Sequence, residues 1–321
     1  MNRWVRGSVL RTWFLAVIAL SVEAFLFHIS VSAQQVGHYI GGATGLENGS
    51  APPPGFYATY LGLVNPVNEL KGPEGATIAT PDITVAAQMA GYAMTFDKKI
   101  LGGEYGWSLL IPAVNTRFTA NVFNSSAESS GISDLYFAPI VLGWTKGNAN
   151  FLLNYGFYTP SGSFDPALAL NPGLGFWEQQ IQAGTTYSID KRKLWNTSFL
   201  TTWEINQSKL GADVKPGPMF TGEYSFGRRF HKYQMNAGVV GYFYHKLSPD
   251  SGSGVGPVAA GVLDRAFATG PELKYTNLKW HMAFDFRYEQ QYGVEAKTSG
   301  NLFVFTITYL KLFPPPPAPH K

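Results

Sequence analysis

The chain has no cysteine among its 321 residues, which excludes both a disulfide framework and a thiolate metal site. Charge is also scarce, at 14% of residues, against roughly 25% in soluble domains. The net charge of +3 is too small to imply nucleic acid as a partner. After the first thirty residues no stretch approaches the ~18 apolar residues of a membrane-crossing helix, and no run of useful length keeps a helical period. The six histidines (His28, His38, His231, His245, His281 and His320) lack the paired spacing of a metal site. There is no Gly-x-Ser-x-Gly elbow and no phosphate loop ending in Gly-Lys-Ser or Gly-Lys-Thr. Gly254-Val255-Gly256 has no strand-then-helix context and reads as loop. No catalytic residue, metal or cofactor is therefore assigned.

What is present is period-two patterning. Twelve candidate strands follow one another, joined alternately by short polar turns and long connections rich in Gly, Pro, Ser and Asn. The turns fall at residues 97–99, 146–149, 190–193, 229–232 and 276–279, and the long connections at 65–81, 115–131, 160–175, 207–217, 247–263 and 293–299. In 195–206, Trp195, Thr197, Phe199, Thr201, Trp203 and Ile205 share one parity, and Asn196, Ser198, Leu200, Thr202, Glu204 and Asn206 the other. Residues 280–289 set Trp280, Met282, Phe284, Phe286 and Tyr288 against His281, Ala283, Asp285, Arg287 and Glu289. Successive side chains of a strand point to opposite faces, so each run has an apolar and a polar side.

A soluble sandwich shares that period, but the runs reach the roughly 9–11 residues of a tilted membrane strand. Large aromatics also stand near run ends: Trp107, Trp144, Trp177, Tyr187, Trp195, Tyr233, Trp280 and Tyr309. Such residues suit two interfacial girdles. The pattern predicts an all-β fold, a single-chain antiparallel transmembrane β-barrel of about twelve strands over residues 55–313. An even strand count puts both barrel ends at the rim of the short turns. Arg3, Arg6 and Arg11, the apolar run 13–27 and Val31-Ser32-Ala33 read as a signal peptide over residues 1–33. Residues 34–54 form a polar lead-in, periplasmic or a plug, and 314–321 a Pro-rich tail that cannot extend the sheet.

Inward parity collects Asp134, Asn154, Glu178, Gln180, Gln182, Glu204, Glu223, His281, Asp285, Arg287 and Glu289. Ionisable groups at bilayer depth face water and one another and mark solute paths, and their mixed signs point to networks rather than a single-sign filter. In the long connections Phe164, Phe176 and Trp177 are candidates for an apolar entrance, with 160–175 and 247–263 as gating loops. An enzymatic alternative pairs His281 with Asp285 in a lipid hydrolase. A structural or adhesive barrel would be sealed by its own side chains.

Several segments resemble the outer-membrane family named for the meta-pathway of phenol degradation. They are His38-Tyr39, the run from Pro52 to Tyr57, Asp134-Leu135 with Pro139 and Leu142-Gly143-Trp144, the run from Tyr155 to Gly162 with Asp165-Pro166, and the run from Asp250 to Gly254. The resemblance implies a bacterial outer-membrane barrel assigned as a transporter of hydrophobic or aromatic compounds, distantly similar to long-chain fatty-acid channels. It carries over no functional residue. The expectation is then passive passage of a small solute. The expected partners are outer-membrane lipid and lipopolysaccharide, the barrel-insertion machinery and the solute itself.

Overall fold

The computed structural model describes residues 36–120, 125–168, 170–230, 234–256 and 260–314. The expected signal peptide, Tyr233 and the tail beyond Pro314 lie outside them. The described strands are β1 (Gly55–Lys71), β2 (Thr77–Ala79), β3 (Asp82–Ile100), β4 (Gly103–Ala120), β5 (Ser125–Ile132), β6 (Tyr136–Lys146), β7 (Ala149–Tyr158), β8 (Glu178–Ser188), β9 (Trp195–Asn206), β10 (Met219–Phe230), β11 (Met235–Lys246), β12 (Arg265–Asn277), β13 (Met282–Glu295) and β14 (Thr298–Leu312). Each pairs antiparallel with its neighbour, and β14 returns to β1 with Gly55 opposite Leu312 and Val64 opposite Phe303. Closure leaves no free edge around the ring. Among the described residues twelve strands make the wall, while β2 and β5 are additions above it, paired to β1 and to β4.

The alternation read from the sequence becomes the two faces of the wall. Along β9, Asn196, Ser198, Leu200, Thr202, Glu204 and Asn206 are buried, while Trp203 and Ile205 are exposed. The same inversion runs round the ring. Tyr60, Phe151, Phe199, Phe226, Phe286 and Phe305 are each more than a third exposed, whereas Glu178, Glu204 and Glu223 are at most 2% exposed. Soluble proteins bury the first kind and expose the second. A continuous outer apolar belt far exceeds the few hundred Å² that a soluble monomer exposes, and hydrocarbon is the solvent that matches it. Trp195, Tyr187, Trp280 and Tyr309 stand on this belt near the short-turn rim, and Trp177 near the other.

Four connections differ from the sequence reading. The first hairpin does not turn at 97–99: β3 continues to Ile100, and Leu101 and Gly102, with φ of 52° and 78°, make the turn. Two-residue hairpins favour positive φ at both positions, which selects Gly102 over the charged run before it. Long connections at 65–81 and 115–131 are largely ladder, since β1 runs to Lys71 and β4 to Ala120. At 293–299 there is only the two-residue turn Ala296-Lys297 between β13 and β14. These hairpins project above the apolar belt, where pairs such as Arg117 and Glu128, opposite each other in register, are exposed. With no face buried there, period two disappears from the sequence although the backbone ladder goes on.

Candidate functional site

Residues 36–50 run inside the ring, as a succession of tight turns. The N–H of Ala43 donates to the carbonyl of Ile40 (3.0 Å), that of Asn48 to Gly45 (3.2 Å) and that of Ser50 to Glu47 (3.1 Å). Turns leave many backbone amides without a ladder partner, and buried amides must find one. The wall supplies it as carboxylate. Glu178 accepts the His38 N–H (3.0 Å), Glu204 that of Tyr39 (3.1 Å), Glu223 that of Gly42 (2.8 Å) and Glu272 that of Leu46 (2.9 Å). Glu223 also accepts the hydroxyls of Tyr39 (2.9 Å) and Thr44. In the opposite sense Arg287 donates to the carbonyls of Ala43 (3.1 Å) and Thr44. A hydrogen bond contributes a net of roughly 0.5–1.5 kcal/mol, and more where one partner is ionised, so with this many partners the segment is a fastened plug.

Its two ends are fixed differently. At the short-turn rim Glu47 pairs with Arg229, whose Nε donates over 2.7 Å, and the Pro54 carbonyl accepts the N–H of Phe313 (3.0 Å). Toward the long connections the His38 ring lies between Asp134 (2.8 Å from Nε2) and Glu178 (3.0 Å from Nδ1), stacked on Tyr158 at 4.5 Å and edge-on to Phe176. Burial would lower the His38 pKa, but the hydrogen bonds to Asp134 and Glu178 outweigh it and raise the pKa, so this setting favours the ring with a hydrogen on both nitrogens. Asp134 sits in the break between β5 and β6 and also accepts the N–H groups of Gly162 (2.8 Å), Leu174 (2.7 Å) and Gly175 (3.1 Å). Burial alone would raise its pKa, but the His38 ring and these amides outweigh burial and hold it below the ordinary carboxylate value. Close approach requires glycine at Gly49, where a Cβ would meet the Thr185 carbonyl oxygen at 2.1 Å.

Above the plug, at the long-connection rim, lies a cavity of about 710 Å³. One wall is the inward face of β3 and β4, with Val85, Ala87, Met89, Leu110 and Val114. The plug residues Val36, His38 and Ile40 border it, Phe164, Leu168, Pro172 and Leu174 cover it, and Lys209 and Val214 come from the connection after β9.

The residues expected to face the lumen divide accordingly. Asp134, Glu178, Glu204, Glu223 and Arg287 contact the plug directly, as does Glu272, which the sequence reading omitted. Asn154 and Gln182 link into a side-chain ladder with Thr202 (2.7 and 2.9 Å), and Gln180 is buried on the same strand as Gln182, whereas Glu289, on β13, is buried beside Gly42 of the plug. Asp285 lies 3.5 Å from Arg287. His281 is a correction: it is an exposed turn residue with φ of 56°, outside β13, so strand parity does not apply to it. The hydrolase pairing loses its basis, because Asp285 serves Arg287. Trp177 is a second correction, since it is 40% exposed on the outer face beside Phe157. Phe176 points inward, fully buried, and Phe164 lines the cavity. The second loop at the cavity is 207–218; the described residues of 247–263 do not border it and are instead tied by Asp250 to Lys246 (2.9 Å) and by Ser251 to Lys215 (2.7 Å). Within the plug only His38-Tyr39 had drawn notice in the sequence; the run of glycines through Gly49 was the other available signal.

A family model described as "Putative MetA-pathway of phenol degradation" matches residues 68–307. No curated protein matches the chain. Among solved structures, the COG4313 outer membrane channel from Pseudomonas putida F1 superposes with a TM-score of 0.69 at 11% identity, covering 83% of this chain and 98% of that one. The beta domain of the Bordetella autotransporter BrkA follows at a TM-score of 0.48 and 11% identity, covering 80% and 99%. At such identities the first likeness speaks to fold alone, and it agrees with the closed twelve-stranded ring.

Proposed function

This chain belongs to the MetA-pathway of phenol degradation family, and from that premise we propose that it is a bacterial outer-membrane channel for passive uptake of small hydrophobic or aromatic compounds. In this reading the signal peptide exports the chain and the barrel-insertion machinery places it among outer-membrane lipid and lipopolysaccharide. The observation that carries the reading is the mouth cavity: its β3 and β4 wall is apolar, its volume is within the ~300–1,000 Å³ of small-molecule sites, and its floor is the plug. A solute collects there from the outer side, and movement of residues 36–50 opens the way down the polar lumen. The solute-path residues are then the ones that hold the plug, with Glu223 and Arg287 at its middle.

Planar-bilayer conductance tests this. The intact protein should give rare, small openings, and a variant lacking residues 36–50 should give steady ones that an alkylbenzene added to the bath reduces. A folded, heat-modifiable deletion variant that stays silent would refute the channel.

A further inference from the structure

The cavity contains one charge that its surroundings do not neutralise. Asp134 is saturated by four donors, the His38 ring and three backbone amides. His38 is held between two carboxylates. The polar atoms of Asn171 are used within its own loop by Asp165 and Leu168. Lys209 differs. Its backbone is fixed, with its N–H donating to the Val214 carbonyl (2.9 Å) and the next residue bonded to Gly175 (2.8 Å). The ammonium is carried over two aromatic faces, 5.5 Å from the centre of Phe164 and 5.9 Å from that of Phe176. Among the described residues no carboxylate lies within 4 Å of the ammonium nitrogen Nζ, and no acceptor meets the ammonium hydrogens.

A half-buried ammonium facing an apolar space is costly unless an anion meets it. Burial lowers the Lys209 pKa, opposed by the more distant charges of Asp250 and Asp134. The aromatic faces offset part of this cost but use none of the ammonium's hydrogens.

Resting on the channel reading above, we propose that the cavity selects apolar monoanions. The solute is an aromatic or branched aliphatic body bearing one carboxylate or phenolate, and Lys209 is the specificity-determining contact. The anionic oxygen meets Nζ, and the body lies on Val85, Leu110 and Val114. A dianion would leave one charge uncompensated in an apolar site, and a neutral solute would leave the ammonium unpartnered, so a single negative charge fits best.

Calorimetric titration of the full-length barrel in detergent at neutral pH, with 4-tert-butylbenzoate and the neutral, nearly isosteric 4-tert-butylbenzamide, separates this proposal from the reading beneath it. The native protein should bind the carboxylate about tenfold more tightly than the amide, the scale of one charge-assisted contact. In Lys209→Met that ratio should fall to near one, and in Lys209→Arg most of it should remain. Equal affinities in the native protein would overturn the anion assignment and leave the channel for hydrophobic solutes standing. Binding of neither compound would overturn both. An undiminished ratio in a folded Lys209→Met would remove Lys209 from the role, and if that variant does not fold, the native ratio alone decides.

Discussion

On one side of the lumen β8, β9, β10, β12 and β13 present Glu178, Glu204, Glu223, Glu272 and Arg287; on the other β1, β3 and β4 present Leu63, Ala87, Met89, Leu110 and Val114. The plug chooses between these walls on elementary grounds. A chain of turns carries amides that need acceptors, and only the acidic wall has them, so residues 38–47 bond to that side. Toward the apolar wall the plug turns the side chain of Ile40, which packs against the cluster that holds Leu63 and Val304. Space is left where hydrogen bonding is absent, and the cavity therefore lies against β3 and β4. One wall holds the plug and the other borders the cavity.

The contrast breaks most severely at Glu223, which accepts three hydrogen bonds from the plug. Glu223→Leu makes the acidic wall locally apolar, and the loss of roughly 3 kcal/mol should raise the channel's open probability on the order of 100-fold, measured as dwell times in a planar bilayer. A smaller effect is expected from Asp134→Asn, which weakens only the upper fastening; about a tenfold rise in opening would fit the loss of one charged partner. The same fastening predicts a pH dependence. Because the Asp134 carboxyl is held below its ordinary value in the folded protein, its contribution is complete above the unfolded value of about 4 and is lost as pH falls through the lower folded value. Openings of the native protein should therefore increase as pH falls below about 4, and the Asp134→Asn variant should lack that acid step. The smallest effect lies on the other wall. Val114→Thr adds a hydroxyl without changing shape and should weaken alkylbenzene binding about fivefold, near 1 kcal/mol, with dwell times unchanged. If it opened the channel instead, the division of labour between the walls would be wrong.

Much of this was legible where one side of a strand faces hydrocarbon and the other water. Trp203 and Glu204, or Phe286 and Arg287, reveal their faces from neighbouring positions because the two solvents demand opposite chemistry. The reading fails where that contrast ends. Lys71, Arg117 and Glu295 belong to ladders above the belt, exposed or half-exposed, and so looked like loop. His281 kept the parity of Asp285 but had already left the strand for a turn. The plug could not be placed from its sequence, since what binds it is mainly its backbone, which no side-chain period reports. Lys209 drew no notice for a different reason: the cavity it faces is assembled from β3, β4, two later connections and residues 36–40, and nothing near Lys209 in the sequence indicates that meeting.

The plug is continuous with β1, joined through Pro52-Pro53-Pro54 to Gly55. It is therefore a ligand tethered to its own receptor, present at an effective concentration in the millimolar range set by a short leash rather than by how much protein there is. Dilution cannot release it. A free peptide of the same sequence at micromolar levels would compete poorly with it, and every barrel carries its plug in a ratio of one to one.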